Sequence, residues 1–154
     1  MTRGFTVLEL AIIIGLLAFL GGIGLVVTFE SYRGSNFHSD RDLLVTVLQH
    51  ARSDALASVC RAVSCSDALP HGVRIEAGRY IVFEGSSYVA SDPQNQTFAA
   101  SPAVVKSGEQ EFVFAPSTGS LLYPSITPAT VILSGEGRAS TVSVDAEGQI
   151  SWTH

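Results

Sequence analysis

The sequence predicts an α+β protein. A long N-terminal α-helix, its first half in a membrane and its second half amphipathic, would pack on a C-terminal antiparallel β-sheet head. Three observations carry this expectation. Leu10 to Phe29 holds no charged residue, apolar residues then recur at helical spacing as far as Val59, and from His71 onward apolar and polar residues alternate between glycines. The segments that follow are a transmembrane helix over 5–30, its amphipathic continuation over 31–59, and a β-rich head over 60–154.

The uncharged stretch comes first. About 20 apolar residues in a helix span a ~30 Å hydrocarbon core. Only Arg3 and the chain's amino group precede it, which favours a cytoplasmic N-terminus. A cleaved secretory signal is the rival reading. Its apolar region is usually about 7–15 residues and ends in a small-x-small site; this run is longer, and VVTFESYRGS offers no such site. Glu9 stands at the mouth of the stretch, where a carboxylate deep in lipid costs on the order of 3 kcal/mol. Its plain reading is a side chain snorkelling to the headgroups. Ala11, Gly15, Ala18 and Gly22 share one helical face, a pattern that lets helices approach closely in lipid, although glycine is also common in membrane helices generally. Gly21, Gly22 and Gly24 each weaken the helix by about 1 kcal/mol relative to alanine.

Leu44, Val47, Leu48, Ala51, Ala55 and Val59 form one apolar stripe at the 3.6-residue period, with Ser58 its polar member. Gly34-Ser35-Asn36 interrupts the pattern. One helix from Phe5 to about Val59 would reach roughly 80 Å. Cys60 and Cys65, the only cysteines, end the helical region. A head beyond the membrane would be exported, where disulfides persist. A bridge between them would close a short loop and contribute about 2 kcal/mol; two free buried thiols are the alternative.

Val73, Ile75 and Ala77 alternate with polar residues, as do Ile81 and Phe83 with their neighbours, and Phe112 and Phe114 mark another strand. A final meander turns at Gly135-Glu136-Gly137 and Ala146-Glu147-Gly148 and carries Ile150 and Trp152 in its last strand. SDPQNQTFAASPAVVKSGE and PSTGSLLYPSITP read as loops.

Charge and motif content exclude several functions. Nine Lys+Arg stand against 14 Asp+Glu, for a net charge of −5, and nucleic-acid binding rests on clustered basic residues. Arg74, Arg79 and Arg138 could gather on one basic face, but the chain without Arg3 would still be acidic. The histidines, His38, His50, His71 and His154, are scattered, and no HExxH, GxSxG or P-loop pattern occurs. Ser117 and Ser120 read as turn residues. The expectation is therefore no enzyme, no cofactor and no metal; two cysteines without a nearby histidine pair do not supply four tetrahedral ligands.

The stretch GFTVLE, followed by an uninterrupted apolar helix, resembles the processing site of type IV pilin-like proteins, the class III prepilins. The resemblance implies that MTRG, residues 1–4, is a leader, that a prepilin peptidase cuts after Gly4, and that Phe5 becomes an N-methylated first residue. It further implies that Glu9 is the family's assembly glutamate, meeting the free amine of a neighbouring subunit's first residue. LLVTVLQHARSDALASV is similar to the corresponding segment of the H-type minor pseudopilins of type II secretion and of related type IV minor pilins. The fold implied is pilin-like. The function implied is a structural subunit, pilin or minor pseudopilin, assembling into a type IV pilus or a type II secretion pseudopilus. Its partners would be other pilin or pseudopilin subunits through the N-terminal helix, the prepilin peptidase, an inner-membrane assembly platform and the membrane. It would be a single-pass inner-membrane protein with an exported head before entering the filament. The alternatives are a tip minor pilin binding DNA or surfaces, and a membrane-anchored exported domain without a filament role.

Overall fold

The computed structural model describes residues 6–61, 68–122, 128–135 and 137–153, without the side chains of 23–35. The chain divides into two compact units, Met1–Ser35 and Asn36–His154. Helical backbone, α1, covers Val7–Leu56, and the unit boundary falls inside it. Gly34 lies beside that boundary, and glycine costs a helix interior about 1 kcal/mol relative to alanine.

In the first unit, the described side chains belong to a short helix over 7–22. Thr6 caps it: the Glu9 N–H donates to Thr6 Oγ1 at 3.3 Å, which satisfies one of the orphan donors of the first turn.

Among its described residues the second unit holds a helix over 36–56 and nine strands in two antiparallel sheets. The first sheet has the order β3-β2-β1-β5-β6, formed by β1 (His71–Glu76), β2 (Arg79–Glu84), β3 (Gln96–Ala99), β5 (Glu111–Phe114) and β6 (Leu121–Leu122). The second has the order β4-β7-β8-β9, formed by β4 (Val105–Gly108), β7 (Ala129–Gly135), β8 (Arg138–Val144) and β9 (Ile150–Thr153). Leu44, Val47, Leu48, Ala51 and Ala55, all expected on one stripe, are buried, and Phe37 extends that stripe. They join Val73, Ile75, Phe112 and Phe114 of the first sheet and Val131, Leu133, Val142 and Val144 of the second in one core. Burying apolar area at about 25 cal/mol per Å² is what holds the layers together.

This architecture corrects the expected pilin-like α+β fold with one long N-terminal helix on a single β-sheet head. The described side chains form two short helices, 7–22 and 36–56, one in each unit, and the second unit is mostly β. The expected transmembrane span is overturned too: among the described residues no helix is long and apolar enough to cross a membrane. The single-pass inner-membrane localisation rested on that span and falls with it.

Two smaller corrections have local causes. The helix stops at Leu56 rather than Val59, because Ser58 adopts φ +49°. Val59 N–H then donates to Asp54 O at 2.9 Å and Ser58 N–H to Ala55 O at 3.1 Å, the paired bonds of a Schellman ending. The stretches read as loops contain β3, β4 and β6. These three are edge strands; in β3 and β4 polar residues protect an open edge and hide the alternation of a half-buried strand, and β6, Leu121–Leu122, is too short to show one.

Candidate assembly site

The 7–22 helix presents its apolar side chains to solvent. Val7 is 87% exposed and Leu8 73%, and Leu10, Ile12, Leu16, Phe19 and Leu20 are all more than half exposed. Glu9 is exposed among them, held in the first turn by the Thr6 cap, where the helix macrodipole favours a carboxylate by about 0.3–1 kcal/mol. The cap was legible as T-x-x-E, and the sequence reading missed it by attending to Glu9 alone. Ala11, Gly15, Ala18 and Gly22 are exposed, and a Cβ built on Gly15 or Gly22 would meet nothing within 4 Å. Gly4 and Phe5 lie outside the described residues.

A second group of functional-looking side chains gathers where the 36–56 helix ends. Asp54, 8% exposed, is ion-paired with Arg61 and lies 3.8 Å from His50 Nε2. The Arg61 N–H donates to Glu84 Oε2 at 3.1 Å. His71, wholly buried, stands on β1 opposite Glu84 of β2 and Phe114 of β5. Its Nδ1 is 3.2 Å from Leu69 O, while Nε2 has no hydrogen-bond partner among the described residues. Burial holds the His71 imidazole below the usual histidine range, against the opposing pull of Asp54 and Glu84. Nothing in the spacing of Asp54, Arg61, His71 and Glu84 could have shown this cluster, since three elements bring it together. Cys60, next to it, is engaged in a disulfide. Cys65 lies outside the described residues, so the expected Cys60–Cys65 pairing does too.

The arginines expected to offer a basic face are occupied elsewhere. Arg74 Nη1 lies 3.4 Å from Glu111 Oε2 and Arg79 Nε 2.5 Å from Glu76 Oε2, both on the first sheet. Arg138 opens β8 of the second sheet, with Nη1 3.2 Å from His38 Nε2. A cleft of about 370 Å³ between Arg74–Ala77 and Val104–Ser107 contains no histidine or cysteine. Among the described residues no three His, Cys, Asp or Glu side chains are grouped to hold a metal ion. Comparison with known protein families, curated proteins and solved structures gives no match.

Proposed function

We propose that the chain is a structural subunit of a type IV pilus or type II secretion pseudopilus. Prepilin peptidase would cut it after Gly4, and its N-terminal helix would join it to other copies. The observation that carries this reading is Glu9 exposed within a helix whose apolar side chains are exposed on every side. Apolar patches larger than a few hundred Å² are rare on monomers and mark interaction surfaces. Glu9 is the fourth residue after Phe5 in the sequence, the spacing that the resemblance assigns to the assembly glutamate. Its carboxylate is then suited to meet the amine that cleavage creates on a neighbouring copy. Pairing offsets the cost of burying both charges within a filament.

The tip-binding alternative has less support. Arg74 and Arg79 are already neutralised by Glu111 and Glu76, and removal of Arg3 with the leader makes an acidic chain more acidic still. The test measures intact mass from the native host and the share of Glu9→Ala protein in sheared filaments. The expected mass begins at N-methyl-Phe5, and Glu9→Ala protein should be made normally but be depleted from filaments. A chain retaining Met1–Gly4 in the presence of the peptidase, or normal incorporation of Glu9→Ala, would defeat the proposal.

A further inference from the structure

We propose that His71 is the acid-sensing element of a latch that holds the end of the 36–56 helix, and the chain leaving it, against the first sheet. The latch consists of two bonds from one residue. The Arg61 guanidinium pairs with Asp54 of the helix, and the Arg61 N–H donates to Glu84 of β2. His71 occupies the same face of β1 as Val73 and Ile75 and is directly paired in register with Glu84.

The charged groups facing His71 come from each neighbouring element. Asp54 and, behind it, His50 belong to the helix; Arg61 follows it; Glu84 belongs to β2. From β5 comes Phe114, wholly buried and without charge. As neutral imidazole, His71 leaves one buried nitrogen without a partner among the described residues and leaves the Asp54 and Glu84 bonds to Arg61 in place. A proton taken from solvent onto the ring turns Nε2 into a charged donor with no acceptor among the described residues. An unpaired buried charge is far costlier than a neutral unpartnered nitrogen. The imidazolium must therefore draw Asp54 or Glu84 away from Arg61, and the latch opens.

The sign follows from the depressed pKa of His71 in the fold. The stabilisation is complete above the unfolded histidine value of about 6.5 and is lost as pH falls below it, because the open state binds the proton more readily. The response therefore lies on the acid side of about pH 6.5.

The experiment follows two readouts on the full chain: the His71 imidazole titration by NMR, and amide exchange of Val59 and Arg61 corrected for intrinsic rates. His71 should titrate below about 6.5, and the opening of the Arg61 amide should increase by up to about tenfold per pH unit below that value. His71→Gln, which keeps a polar group but cannot titrate there, should abolish the acid response. His50→Gln should retain it. Titration of His71 at or above the free value would overturn the proposal even if His71→Gln fails to fold. So would an unchanged acid response in His71→Gln, or its loss in His50→Gln.

Discussion

Asp40 is buried, and its described side-chain bonds cross to other parts of the chain. Tyr80 OH donates to Oδ2 at 2.9 Å, the Ser101 N–H to Oδ1 at 2.8 Å, and Lys106 Nζ lies 3.1 Å from Oδ2. Lys106, whose side chain is 4% exposed, spends its other protons on Ser101 O at 2.8 Å and Ala77 O at 3.1 Å. One carboxylate thus ties the 36–56 helix to β2 of the first sheet and β4 of the second. Burial, reinforced by Asp40, pushes the Tyr80 phenol well above the usual tyrosine range, so it remains a donor. Breaking a buried pair from one side leaves an uncompensated charge, whereas replacing both members with apolar residues is often nearly neutral. Asp40→Ala should therefore lower stability by about 3–5 kcal/mol, and Asp40→Leu with Lys106→Met by clearly less. Denaturant unfolding of the single and double variants checks this; a double variant as unstable as Asp40→Ala would mean that the charges themselves, and not their balance, hold the layers.

At the scale of elements, two turns interlock. Gly148, with φ +76°, closes the β8–β9 connection, and Gly119, with φ +64°, closes the turn between β5 and β6. A Cβ on Gly148 would stand 1.9 Å from Gly119 O. Arg52 of the helix donates to Gly119 O and to Glu147 O, each at 3.2 Å, so the helix holds both turns. Gly148→Ala should destabilise by about 3 kcal/mol through backbone clash added to strain. Gly137→Ala has the same handedness, φ +75°, and open space around it; it should lose only about 1 kcal/mol. Equal losses in thermal unfolding would remove the clash from this account. The Gly148 turn was legible, because Ala146-Glu147-Gly148 separates two alternating runs; its docking on Gly119 was not, because the two turns are distant in sequence. The same division runs through the fold. The helix stripe, β7 and β8 show their periods, whereas β2 is buried on both faces from Tyr80 to Phe83 instead of alternating, and β3 and β4 are polar edge strands, with pairing partners but no pattern of their own. His71 read as one more scattered histidine because its neighbours come from a helix end and a paired strand.

For the whole molecule, the two units differ in what they bury. Every buried hydrophobic residue described, from Phe37 to Val144, belongs to Asn36–His154, whereas the apolar side chains of 7–22 are exposed. A chain of ~120 residues is large enough to bury its own core, and this one draws that core from a helix and two sheets. A chain beginning at Asn36 also gains a good first residue for its helix, since asparagine favours the N-cap and Ala does not. Asp40 and Asp42, close behind, complement the positive end of the helix dipole. Residues 36–154 alone should therefore unfold in one cooperative transition and remain monomeric. The full chain should associate through 7–22, because an exposed apolar surface of that extent gains free energy by being covered. Calorimetry and sedimentation of the two chains decide the matter. A non-cooperative transition in 36–154 would show that its stability depends on the first unit. Self-association of both chains to the same extent would move the assembly surface away from the N-terminal helix and onto the sheets.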